Sequence, residues 1–157
     1  MTLNRQQRTQ PTLFTIGYEQ ATQAAVVSAL RDAGVEVLVD IRYLPLSRRP
    51  GFSKSSLRAA VGEAGIGYRH FRQLGTPAEG RAAARRGDPA ELSRIYAGQL
   101  ELPEALAQMA ELRALAEDKR VALLCYERNA AECHRALLAG ALFADFARVD
   151  LEPVLVA

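Results

Sequence analysis

Val121-Ala122-Leu123-Leu124-Cys125-Tyr126-Glu127 runs through a short loop into Cys133-His134-Arg135-Ala136-Leu137-Leu138-Ala139-Gly140-Ala141-Leu142-Phe143. The leading apolar run is of the buried-strand type, and the closing run is rich in helix formers. Between them, in the eleven residues from Cys125 to Arg135, stand both cysteines, one of two histidines, two carboxylates and two arginines, Glu127 and Arg135 among them. The reactive groups therefore fall where a strand ends and a helix begins. In open α/β sheets ligands bind there, because loops diverge and a helix N-terminus offers free N–H groups.

The same alternation extends along the chain. Thr12–Gly17 reads as a first strand, and Thr22–Ala33 as a helix stopped by Gly34 in the C-cap position. Val35–Ile41 is β-branched and almost wholly apolar, as in a strand covered on both faces. After a polar loop with Pro45, Pro50 and Gly51, either Ser53 or Ser55 caps a helix to about Ala64. Ile66–Phe71 is a third strand. Leu74–Pro89 reads as loop with a basic helical patch, and Asp88 or Ser93 opens the next short helix. Pro103 begins a helix to about Asp118. Lys119–Tyr126 is the fourth strand, Ala131–Phe146 the last helix and Val149–Val156 a final strand. The expectation is one α/β domain over residues 12–157, a mainly parallel sheet of about five strands flanked by helices, behind a flexible tail at 1–11.

Composition narrows the class. A chain of 157 residues with 49% hydrophobic and 24% charged content is ordinary for a globular domain. At this size folding buries roughly 70% of the unfolded surface. No apolar run approaches the ~20 residues of a membrane span, and the polar N-terminus lacks the apolar core of a secretory signal. A cytoplasmic setting follows, with Cys125 and Cys133 as reduced thiols, although so short a loop also permits a disulfide. The net charge of +2 conceals an asymmetry: Arg42–Arg86 holds ten basic residues against Glu63 and Glu79, leaving −6 elsewhere. This suggests an anionic small molecule, a nucleotide or a nucleic acid as partner, or else a solvated basic face.

Several residues could carry chemistry. Cys133, near a helix start beside His134 and Arg135, is a candidate thiolate nucleophile or a small packed hydrophobe. Cys125 ends an apolar strand and reads as buried. The spacing disfavours a protein-phosphatase cradle, since Cys125 and Arg135 are ten apart with no glycine in Asn129-Ala130-Ala131. Glu127, Asp40 and Glu19 each stand at a strand end, so parallel neighbouring strands bring three carboxylates to one rim; each could equally pair with an arginine to hold a loop. Arg42, Arg48, Arg49 and Arg135 are candidate anion ligands, with Tyr18, Tyr68 and His70 in support. Any histidine base must be His70 or His134. No Cys-x2-Cys or His-Glu-x-x-His spacing supports a metal, and no cofactor is read from the chain.

The quoted segments together resemble the bacterial and archaeal family known as domain of unknown function 488. The matching pieces are Gly17-Tyr18-Glu19, Val39-Asp40-Ile41-Arg42 with Pro45 and Arg49-Pro50-Gly51-Phe52, Tyr68-Arg69-His70 leading to Leu74-Gly75, and Cys125-Tyr126-Glu127 leading to Cys133-His134-Arg135. They run from about residue 13 to 146. Thr76 departs from the family, which often has a second glycine there. The resemblance implies a compact α/β domain with a shared polar site, and brings no reaction with it. Three readings compete on these residues: a small enzyme acting on a phosphate-bearing or nucleotide-like substrate, a nucleic-acid-binding or regulatory module using residues 42–86, and a structural or interaction protein whose rim residues hold loops.

Overall fold

The computed structural model describes residues 10–155. Five strands, β1 (Thr12–Gly17), β2 (Val37–Asp40), β3 (Gly67–His70), β4 (Val121–Cys125) and β5 (Ala147–Leu151), form one sheet in the order β3-β2-β4-β1-β5. Every ladder in it is parallel. The helices are α1 (Gln23–Asp32), α2 (Lys54–Glu63), α3 (Ala78–Arg85), α4 (Pro89–Leu100), α5 (Pro103–Asp118) and α6 (His134–Leu142).

Period-two alternation sorts the strand side chains into two layers. Val37, Val39, Val121 and Leu123 face a core built with Tyr96 of α4, Leu112 of α5 and Leu138 of α6. Ile16, Leu38, Ala122 and Leu124 face the other core, with Val26 and Leu30 of α1 and Leu57 and Val61 of α2. The connections leaving β1 and β2 thus cross one face, and those leaving β3 and β4 cross the other. Because β4 lies between β2 and β1, its outgoing chain departs opposite to both neighbours. A crevice opens at that divergence, outside the carboxyl ends of the strands.

Local signals mark several of the helix ends. Thr22 accepts from the Ala25 N–H at 3.1 Å and Asp88 from the Glu91 N–H at 3.2 Å, both as N-caps. Gly34 takes up a left-handed φ of +74° after α1. Ser53 does precede α2, but its hydroxyl is spent within the loop, accepting from the Ser47 N–H at 3.1 Å and donating to the Ser47 carbonyl at 3.3 Å.

Three expectations shift. The basic patch within Leu74–Pro89 is a full helix, α3, preceded by a 3-10 turn at Arg72–Leu74. The last helix starts later than Ala131, because residues 130–132 form a 3-10 turn and Cys133 is the N-cap of α6. The final strand is Ala147–Leu151, an edge strand with Val149 and Asp150 exposed, which lacks the apolar run that suggested 149–156. The expected tail at 1–11 falls mostly, and Val156 wholly, outside the described residues.

Candidate functional site

The crevice is a cleft of about 580 Å³. Its sheet side carries Glu19 just past β1, Arg42 just past β2, and Cys125 and Glu127 at the end of β4. Cys133 and His134, at the start of α6, complete that wall. The cleft is also lined by Arg48 in the loop before α2 and Arg81 and Arg85 on α3; Tyr43, Leu44, Leu46 and Tyr126 supply its aromatic and apolar surface.

A backbone approach sets the Glu127 wall. A Cβ at Gly17 would lie 1.8 Å from the Glu127 carbonyl oxygen, so only glycine lets the β4 loop rest on the end of β1. Tyr18 and Glu19 N–H groups then donate to the Cys125 and Tyr126 carbonyls at 3.4 and 2.9 Å, extending the ladder past the sheet. Glu19 returns the tie by accepting from the Arg128 N–H at 3.0 Å.

Cys125 and Cys133 are joined as a disulfide, which corrects the expectation of reduced thiols. Strand parity puts Cys125 on the α6 face of β4, directly against the N-cap of that helix. His134 is buried, and its Nε2 lies 2.7 Å from the Ile41 carbonyl oxygen. A carbonyl only accepts, so the proton sits on Nε2 and Nδ1 turns a lone pair to Cys133 Sγ at 3.5 Å. Burial lowers the His134 pKa to about 4, helped by the nearby Arg135 charge and opposed by the Ile41 hydrogen bond. The imidazole is neutral at physiological pH.

Arg135 is wholly buried and faces inward. Its Nη1 donates to Cys125 Sγ at 3.0 Å and to the Glu127 carbonyl, and its Nη2 to the Arg128 carbonyl at 2.9 Å. Its Nε is buried and has no hydrogen-bond partner among the described residues. Desolvation brings its pKa down to about 10, partly offset by Asp150 and Glu127, so it stays charged. It braces the Cys125–Arg128 loop from behind the cleft.

Asp40 and Arg42 form a closed unit. Asp40 has no exposed surface and accepts from Arg42 Nε at 2.8 Å, Arg42 Nη2 at 2.7 Å, the Arg42 N–H at 3.1 Å and the Tyr68 hydroxyl. Arg42 Nη1 also donates to the Phe52 carbonyl at 2.6 Å and the Tyr18 hydroxyl at 3.2 Å. Burial opposes the Arg42 charge, but the Asp40 contacts outweigh it and its pKa is raised. Burial first, and then the Asp40 charge, raises that of Tyr68. His70 Nε2 meets the Arg42 carbonyl at 2.7 Å. Arg49 donates to the Tyr18 carbonyl at 2.9 Å and to that of Ala21, fastening the β1–α1 loop.

Of the sequence candidates, Glu19, Glu127, Cys125, Cys133, His134, Tyr18, Arg42 and Arg48 therefore share the cleft. Asp40, Tyr68, His70, Arg49 and Arg135 hold its frame from outside. Arg81, Arg85 and Tyr43 are additional cleft residues. Their signal in the sequence was the charge excess over residues 42–86, which does not distinguish these arginines from Arg69, paired with Glu111, or Arg86, near Asp88.

Cys125 Sγ, Cys133 Sγ and a ring nitrogen of His134 lie within 4.8 Å of one another, a donor set able to hold a soft cation. The sequence spacing gave no sign of it, because adjacent Cys133 and His134 meet Cys125 only through the fold.

The model of the family described as domain of unknown function DUF488 matches residues 22–142. The chain belongs to that family. No curated protein and no solved structure matches it. The DUF488 match spans α1 through α6, so Asp40, Arg42, Glu127 and the Cys133-His134-Arg135 triplet fall within it and Tyr18 and Glu19 lie just before it. None of the described helices is long and apolar enough to cross a membrane.

Proposed function

We propose that this DUF488 chain is a small enzyme acting on a phosphate-bearing or nucleotide-like substrate in the cleft. The observation that carries the reading is that three little-engaged arginines line the same cleft as Glu127. The Arg48 and Arg85 side chains make no hydrogen bond or ion pair with any described residue, and both line the cleft together with Glu127, Cys133 and His134. Arg81 stacks over Tyr43 at 5.6 Å and makes one long bond, 3.4 Å, to the Thr76 carbonyl. Three guanidinium groups then hold the anion, while Glu127 handles protons beside the reacting centre. Tyr126, 46% exposed, and Leu46, 70% exposed, offer flat and apolar surface to the uncharged part of such a molecule.

The nucleic-acid reading is weaker because the basic residues do not make one stripe. Lys54 and Arg58 sit on α2, on the opposite face of the sheet from α4 to α6, while Arg69 pairs with Glu111 of α5. A phosphate-tracking surface needs its cations in a continuous row.

Titration calorimetry with ATP, AMP and inorganic pyrophosphate tests the enzyme reading. Saturable binding to the parent and at least tenfold weaker binding to Arg48→Ala/Arg85→Ala is expected. Turnover of a bound nucleotide should be lost in Glu127→Gln with binding kept. Failure of the parent to bind any of the three, or equal binding by the double variant, sinks the proposal.

A further inference from the structure

The contact between Cys133 and His134 has no hydrogen in it. With the proton on Nε2 bound to the Ile41 carbonyl, Nδ1 carries a lone pair, and a disulfide sulfur 3.5 Å away has nothing to donate. A buried acceptor is thus aimed at two sulfurs without a donor between them. This disposition is the one metal-ligating histidines use, in which the far ring N–H is anchored on a carbonyl so that the near nitrogen points at the ion. The Cα atoms of Cys125 and Cys133 stand 7.4 Å apart, wider than the ~4.4–6.8 Å that disulfides usually span. That spacing leaves room for both sulfurs to bind one atom between them.

We propose that the reduced chain holds a thiophilic divalent cation, Zn²⁺ by the chemistry of the donors, on Cys125 Sγ, Cys133 Sγ and His134 Nδ1. Two thiolates and an imidazole with the remaining coordination position open toward the cleft form the pattern of a reactive rather than a purely structural zinc site. Local charge supports it. Arg135 Nη1, 3.0 Å from Cys125 Sγ, is an N–H donor to a thiolate. A carboxylate oxygen of Glu127 lies 3.6 Å from the same sulfur, so the two thiolates, the cation, Arg135 and Glu127 sum to neutrality.

The disulfide is the alternative state of the same site. Reduction by a thiol or phosphine breaks the S–S bond with two electrons and two protons, and the cation then displaces both thiol protons. The site adjoins the anion cleft and gives it a Lewis acid, but it does not depend on the nucleotide reading. A cobalt titration contains no nucleotide, so either reading can fail while the other stands.

The full chain is reduced without oxygen, freed of reductant, shown by thiol titration to carry two free thiols, and titrated with Co²⁺. The expected result is one equivalent bound, with a sulfur-to-cobalt charge-transfer band and tetrahedral d–d bands that Zn²⁺ abolishes. The oxidised chain should show neither, a control that requires no substitution. Cys133→Ser should weaken Co²⁺ binding at least tenfold, with loss of charge-transfer intensity; His134→Gln should weaken it at least tenfold while keeping the sulfur band. No charge-transfer band in the reduced parent, or identical spectra from reduced and oxidised chains, overturns the proposal.

Discussion

Arg42 grips Asp40 through two parallel hydrogen bonds, Nε to Oδ1 at 2.8 Å and Nη2 to Oδ2 at 2.7 Å, with 6% and 0% of the two side chains exposed. The pair is saturated from both sides by Tyr68, Tyr18 and the Phe52 carbonyl. It fixes the direction in which the chain leaves β2, and so the position of the loop that carries Tyr43 and Arg48 into the cleft. Removing one partner leaves the other charge buried and alone. Asp40→Asn and Arg42→Met should each cost about 3–5 kcal/mol in urea denaturation. The double variant Asp40→Asn/Arg42→Met should cost clearly less than the sum of the single changes. Additive losses would show that the two side chains stabilise the fold independently.

Gly17 makes a second prediction. A methyl group there meets the Glu127 carbonyl at 1.8 Å and Arg135 Nη1 at 3.0 Å, and the first of these is backbone that cannot turn aside. Gly17→Ala should destabilise the chain by about 1–3 kcal/mol and displace the Glu127 loop. Gly62→Ala, where nothing lies within 4 Å, is the matched control. Equal denaturation midpoints for the two variants would contradict the close approach.

What was legible in the sequence divides along range and parity. The strand–helix alternation, the stop at Gly34, the Asp88 cap and the proline start at Pro103 are local signals, and the structure carries each of them. The gathering of Glu19, Glu127 and Cys133 at one rim follows from parallel strands alone. Asp40 looked equivalent to them but is still inside β2, where alternation turns it with Leu38 toward α1 and α2. Glu127 lies two residues beyond the end of β4 and reaches the cleft. The strand-order inversion that brings β4 between β2 and β1 has no local signature. With it, the bond from His134 to Ile41, 93 residues earlier, and the tie from Arg49 to Tyr18 were hidden.

The buried neutral His134 gives folding a pH dependence in the oxidised, metal-free chain. Its pKa falls from the ordinary 6.5 to about 4 in the folded state, through burial first. The unfolded chain therefore binds the proton more readily. Stability is complete above the unfolded pKa and is lost as pH falls through the folded one, by on the order of 3 kcal/mol. Subtracting the stability of His134→Gln at each pH isolates this contribution from the carboxylates that also titrate. A difference between parent and variant that stays constant from pH 7 to pH 4, values that bracket the ordinary histidine range, would rule it out.

Arg135 and Arg85 should part in opposite ways, although both are guanidinium groups near one cleft. Arg135 is fully buried and feeds two carbonyls and a sulfur, so Arg135→Met strands acceptors that water cannot reach. A loss of at least ~2 kcal/mol of folding stability is expected. Arg135→Lys should not restore it, because one ammonium cannot span the fork of acceptors that the planar group serves. Arg85 is exposed on α3 and bonds to no described residue, so Arg85→Ala should change stability by less than ~0.5 kcal/mol. Its effect should appear only in the pyrophosphate titration, as weaker binding with a shallower salt dependence, since one fewer cation meets the anion. Urea denaturation of the three variants beside that titration separates the roles. If Arg85→Ala unfolds as easily as Arg135→Met, or if pyrophosphate binds Arg85→Ala as tightly as the parent at low salt, Arg85 is not an anion ligand held in reserve by the fold.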